Sequence, residues 1–182
     1  MERANSLTLL RQEFRHLQSI NSIPNITTSI GLLDESNIYA WKVLLLVRFD
    51  SLYKGGMFSL ILNFSENYPM LPPKVKFQTP IYHLNVKSTR DNNTADEIGT
   101  PNLNILKFWK PEYQVKDILI SIYALFYMTN AACSYNLNMA NEYINNRELY
   151  NKKVEYFKIR IFHKKICQPI NVGKNSELGF YL

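Results

Sequence analysis

Two cysteines and three histidines hold most of the reactive side chains in this 182-residue chain. A thiolate is the natural nucleophile for acyl transfer, but it needs a lowered pKa or a base beside it. Cys133 lies in Ala131-Ala132-Cys133-Ser134 with no Lys, Arg or His within several residues, so nothing local activates it. Neither Cys133 nor Cys167 stands in metal-ligand spacing with His16, His83 or His163, so no zinc site and no cofactor are expected. Two cysteines also argue against a disulfide framework and for a reducing compartment. The denser group of features runs from Tyr68 to Pro111. Within it His83 and Asn85 share one loop, Leu103, Ile105 and Leu106 form a short apolar plug, and Trp109 and Pro111 follow.

Several elements must hold this group in place. Tyr68-Pro69 and Pro72-Pro73 bracket a rigid, non-helical connection, because proline fixes its own φ and pushes the preceding residue toward extended backbone. Lys74 to Gln78 alternates polar and apolar as a half-buried strand does. Upstream, Trp41 to Phe49 is almost continuously apolar and suits a central strand, Gly55-Gly56 turns the chain, and Phe58, Leu60, Leu62 and Phe64 recur with a period of two. With a weaker candidate over Ile26 to Leu33, this makes an antiparallel meander of about four strands.

Helical spacing frames the sheet on both sides. Ser6 reads as an N-cap for Leu7, Leu10, Phe14 and Leu17, with Arg11, Arg15 and His16 on the outer faces. Gln114 to Met128 is apolar on most sides and predicts a helix buried against the sheet. Leu137 to Phe162 predicts a long helical region with Tyr143, Tyr150, Val154, Phe157 and Ile161 inward, and beyond His163 the pattern is lost. The fold class is α+β, with helices segregated around an antiparallel sheet.

The stretch YPMLPPKV, His83-Leu84-Asn85, Gly99, Leu103-Asn104-Ile105-Leu106 and Trp109-Lys110-Pro111 resembles the ubiquitin-conjugating enzyme family. The likeness extends from the first helix to about Phe162, which implies a UBC domain over 1–162 and an extension over 163–182. In that family a cysteine accepts ubiquitin, or a ubiquitin-like protein, as a thioester that a lysine then attacks. By resemblance, Asn85 is the oxyanion group and His83 orders its loop. The position of the nucleophilic cysteine is held by Asn102. A carboxamide is neutral, its nitrogen lone pair is delocalised, and it forms no exchangeable thioester. Three further departures surround it: Leu84 replaces the family's proline and should loosen the loop, Pro101 precedes Asn102, and Ser134 and Tyr135 stand where acidic residues usually assist the incoming lysine. Docking positions carry over to the first helix with Arg11 and Arg15, to Met70, and to Pro111 and Glu112.

The resemblance implies a non-catalytic binding or regulatory subunit in a ubiquitin or ubiquitin-like pathway, cytoplasmic or nuclear. Its partners would be the modifier, an activating enzyme, a ligase or an active conjugating enzyme. The YKGG, LNIL, WKP and NNRELY segments lean toward a ubiquitin-like modifier. A second reading is an active transferase with Cys133 as a relocated nucleophile. A third, a basic RNA-associated protein, has no aromatic stacking motif behind it. The net charge of +6 is spread over basic residues that read as scattered, which fits a solvated surface for an acidic partner better than a nucleic-acid stripe. No apolar run reaches the length of a membrane span, and the N-terminus lacks a signal-peptide pattern. Lys87 to Glu97 is a polar insertion next to the expected site, read as solvated and mobile.

Overall fold

The structure is a computed structural model that describes residues 2–19, 23, 26–48, 50–88 and 94–166. Helix α1 (Glu2–Gln18) leads into four strands, β1 (Thr27–Leu32), β2 (Ala40–Leu46), β3 (Met57–Asn63) and β4 (Lys74–Phe77), paired antiparallel in chain order. Helices α2 (Asn104–Lys107), α3 (Val115–Leu125), α4 (Leu137–Asn145) and α5 (Arg147–Ile166) follow. This is the expected α+β meander with flanking helices. Among the described residues no helix is long and apolar enough to cross a membrane.

The core forms where the period-two strands meet the helices. Trp41 lies opposite Leu62, and Leu60 lies opposite both Val43 and Phe77, so one face of the sheet is a continuous apolar layer. Trp41, Val43, Leu45, Leu60 and Leu62 are fully buried there. Strand β2 ends before the expected Phe49, which lies outside the described residues. Val47 already takes part in the turn, donating to the Gly56 carbonyl at 3.0 Å and accepting from Gly55 at 2.7 Å. Gly55 sits at φ 76°, a left-handed backbone that favours glycine.

Helix α3 buries Val115, Ile118, Leu119, Ile122 and Tyr123, worth about 2 kcal/mol for each large apolar side chain removed from water. Its start is fixed by a reciprocal capping box between Gln114 and Asp117.

Three sequence expectations shift. Ser6 is not a cap: α1 begins before it, and its buried hydroxyl lies 3.1 Å from the Tyr39 hydroxyl. The long helical region 137–162 is two helices, because Asn146 leaves helical geometry (φ −144°, ψ 68°) and its side chain accepts from Leu149 N at 3.1 Å, restarting the chain as an N-cap. The basic residues are less scattered than they read, since α5 alone carries seven Lys or Arg against two Glu, a net of five positive charges. It also runs unbroken through the boundary expected at 162/163, and residues 167–182 lie outside the described chain.

Candidate functional site

The loop 82–86 is almost wholly buried, which is unusual for a loop and requires that its polar groups be paired internally. His83 is 1% exposed. Its Nδ1 accepts from Asn85 N at 3.0 Å, which leaves Nε2–H to donate to the Leu125 carbonyl at 3.0 Å. Burial holds its pKa down at about 4, so the ring is neutral at pH 7 and serves as a brace between the loop and the C-terminal end of α3. Leu84 does not loosen the loop. Its side chain is fully buried, and its carbonyl accepts from Tyr135 N at 2.9 Å and from Ser134 Oγ at 3.1 Å.

Asn85 is committed on all sides. Its Nδ2 donates to the carbonyls of Asn130 (2.7 Å) and Cys133 (2.9 Å), and its Oδ1 accepts from Asn130 N at 3.0 Å. Asn102 is brought to the same place. Its backbone N donates to the Asn85 carbonyl at 2.8 Å, and its Nδ2 donates to the Cys133 carbonyl at 2.9 Å. Two carboxamides, 17 positions apart in sequence, therefore converge on one peptide oxygen. That oxygen belongs to a 3₁₀ turn, Ala131–Cys133, capped by the Asn130 side chain. Pro101 is buried and bridges Val86 across a short antiparallel contact, which presents Asn102 toward the turn.

Asn85, Asn102 and Cys133 line one open groove of about 270 Å³. Its other walls are amide, hydroxyl and apolar side chains, including Asn104, Ser121 and Met128, and among the described residues no acidic side chain lines it. The Cys133 thiol is partly exposed, with Asn130 Nδ2 3.6 Å from Sγ. Ser134 spends its hydroxyl on the Leu84 and Asn136 carbonyls, and Tyr135 lies under Lys87, whose Nζ is 5.4 Å from the ring centre. The insertion is tied down at both described ends. Lys87 pairs with Glu97 at 2.6 Å, Lys76 Nζ donates to the Ala95 carbonyl at 2.9 Å, and Gly99 N donates to the Lys87 carbonyl at 2.8 Å. Residues 89–93, the middle of the segment read as mobile, lie outside the described chain.

The expected docking positions lie elsewhere. Met70 is 68% exposed, and Pro111, Glu112, Arg11 and Arg15 are exposed as well. The loops carrying Met70 and Pro111 are joined by Trp109, whose Nε1 donates to the Pro69 carbonyl at 2.7 Å while its ring packs against Tyr68 and Tyr113. Sequence reasoning missed the residue that ties both to α1. Glu13, 8% exposed, accepts from the Tyr68 hydroxyl at 2.8 Å and from Val115 N at 2.7 Å. One carboxylate thus joins the first helix, the proline-rich loop and the N-terminus of α3, where the helix dipole favours negative charge. Burial raises its pKa above the usual carboxylate range in spite of these bonds. The available signal was an acidic residue at an inward-facing helical position, between Leu10 and Leu17.

The comparisons with known proteins match this architecture over most of the chain. A family model described as ubiquitin-conjugating enzyme matches residues 9–158. The chain belongs to the ubiquitin-conjugating enzyme family. It is 30% identical over 161 residues to ubiquitin-conjugating enzyme E2 15 of Schizosaccharomyces pombe, covering 85% of this chain and 93% of that protein. It is 33% identical over 157 residues to ubiquitin-conjugating enzyme E2 14 of Arabidopsis thaliana, covering 82% and 92%. A probable ubiquitin-conjugating enzyme E2 7 of Caenorhabditis elegans is 31% identical over 164 residues, again covering 82% and 92%. Membership implies interaction with ubiquitin, activating enzymes and ligases in general.

Proposed function

We propose that this chain is a non-catalytic ubiquitin-conjugating-enzyme-like protein, a binding or regulatory subunit of a ubiquitin or ubiquitin-like modifier pathway. The observation that carries this reading is the state of residue 102. Its side chain is a neutral amide, and that amide already donates to the Cys133 carbonyl at 2.9 Å. It has neither the lone pair nor the leaving-group chemistry that a thioester relay requires. Among the described residues no acidic side chain lines the groove, which supports the reading, since none of them would deprotonate or orient an incoming amine. Asn85 supports it further. In this geometry both its N–H bonds are spent on backbone carbonyls, so it offers no free donor to a developing oxyanion.

Docking is the activity that remains. Met70, Pro111 and Glu112 are exposed on loops braced by Trp109 and Glu13, and such a face serves partner binding without needing a nucleophile. A modifier, an activating enzyme, a ligase or an active conjugating enzyme is the partner class that fits.

The second reading, with Cys133 as nucleophile, rests on its position in the same groove. The test covers both. The full chain is incubated with activating enzyme, ATP and modifier, beside Cys133→Ala and Asn102→Cys, and reducible adducts are read by mass spectrometry. The expected outcome is no adduct on the unmodified chain and weak, reductant-sensitive charging of Asn102→Cys. An adduct on the unmodified chain that disappears in Cys133→Ala would overturn the non-catalytic reading.

A further inference from the structure

Helix α5 carries two stripes on nearly opposite sides. The inner stripe is the one its sequence predicts: Tyr150 and Val154 are buried, and Phe157 packs on Tyr82 with ring centres 5.3 Å apart. The outer stripe faces outward. Leu149, Tyr156 and Ile159 are 39%, 60% and 48% exposed, and the Lys152 side chain between them is 72% exposed. Positions 149, 152, 156 and 159 follow a three-four-three spacing. This is the a/d spacing of a coiled coil, held over about half of a helix about 30 Å long.

The residues beside the seam decide what it fits. With Leu149 and Tyr156 at a positions, Glu148 and Glu155 fall at g, and Lys153 and Arg160 fall at e. In a parallel pair of helices each g position faces the e position five residues later on the other helix. Glu148 of one copy then faces Lys153 of the other, and Glu155 faces Arg160. Both pairings are attractive, and symmetry makes each of them twice. An antiparallel pair would instead set g against g and e against e, placing glutamates together and basic residues together. The present partners of the two glutamates do not stand in the way. Glu148–Lys152 (2.6 Å) is an exposed pair within one helix and Glu155–Lys158 (2.8 Å) a half-buried one, and such neighbouring pairs contribute little. Lys153 already pairs with Glu142 of α4, so the Glu155–Arg160 contact is the stronger of the two across the seam.

We propose that the outer face of α5 is a homodimer seam, on which a second copy of this chain docks its own α5 in parallel. The contact is isologous, as a two-fold dimer requires, because the same residues supply both sides. Lysine at 152 interrupts the apolar seam and faces its own copy across it, which weakens the dimer and makes it reversible, while the g–e pairs set its parallel register.

The experiment is sedimentation velocity and equilibrium on the full chain, up to on the order of 100 μM. The expected result is a monomer–dimer equilibrium. Glu155→Arg and Arg160→Glu should each raise the dimer Kd about tenfold or more, by placing like charges opposite one another. An equimolar mixture of the two variants should regain association as a heterodimer. The two introduced side chains would then face each other on one side of the seam, and the unaltered Glu155 and Arg160 would face each other on the other. Ile159→Lys should leave monomer only, with an unchanged far-ultraviolet circular dichroism spectrum. A chain that stays monomeric at every concentration overturns the proposal, even if the same face takes up anionic vesicles or an acidic helix instead. Dimerisation that none of the charge variants moves overturns it too, as does failure of the folded variants to recover on mixing.

Discussion

The groove at residue 102 and the proposed docking face braced by Glu13 are both built from buried polar contacts, yet they differ in kind. The groove is floored by neutral amides that share one acceptor, the Cys133 carbonyl. The docking face depends on one carboxylate that serves two donors from different elements. A shared acceptor is redundant, because losing one donor leaves the oxygen paired through the other. A carboxylate with two dependants is a single point of failure, because losing it strands a buried hydroxyl and a buried helix N–H together. The region around residue 102 is thus the one whose bonds tolerate change.

Three measurements would break or sharpen this contrast. The largest effect is expected at Glu13. Glu13→Ala should cost about 3 kcal/mol in urea unfolding, from two unsatisfied buried donors and a lost helix cap. A loss below about 1 kcal/mol would mean that the three elements hold without it.

Acidification comes next. His83 is held at about 4 in the fold, below its ordinary value of 6.5, so the folded state favours the neutral ring. Its contribution is complete above about pH 6.5 and is lost as pH falls toward 4, up to roughly 3 kcal/mol. Glu13 works in the opposite direction, since its raised pKa makes protonation easier in the fold than out of it. Stability should therefore fall between pH 6.5 and 4, and His83→Gln should flatten that slope. A slope unchanged by His83→Gln would place the proton elsewhere.

The smallest effect belongs to Asn102→Ala. It removes one of two donors to the Cys133 carbonyl and should cost about 1 kcal/mol, with faster amide exchange confined to residues 130–134. A loss as large as that of Glu13→Ala would abolish the contrast.

The legible parts of the molecule are those that rest on local period and local backbone preference. Alternation along Phe58 to Phe64 placed β3, the apolar spacing from Val115 to Phe126 placed α3, and the proline pairs around Tyr68 placed a rigid connection. His83, Asn85 and Asn102 were expected at one site, and the structure brings them together with Cys133. What stayed hidden is long-range or depends on a single side chain. Glu13 is bonded to Val115 across 102 positions, and no window of sequence contains both. Asn146 breaks a region whose apolar period continues smoothly through it, because a cap is decided by one amide and not by a stripe. The outward orientation of the Leu149–Tyr156 seam became visible only once Tyr150 and Val154 were fixed as the inner face.

The base of the 87–97 insertion is closed independently of what it carries. Phe77 N donates to the Gly99 carbonyl, Gly99 N to the Lys87 carbonyl, and Lys87 N to the Thr100 carbonyl. Gly99 is irreplaceable there, since it sits at φ 88° and a Cβ would stand 2.4 Å from the Phe77 carbonyl oxygen. With the two ends already stapled, doubling the length of chain between Ser88 and Thr94 would cost only about 0.6 kcal/mol in closure entropy. The stretch is therefore a natural port for cargo. A fluorophore tag or an affinity epitope spliced in there would leave in place the hydrogen bonds that close its base.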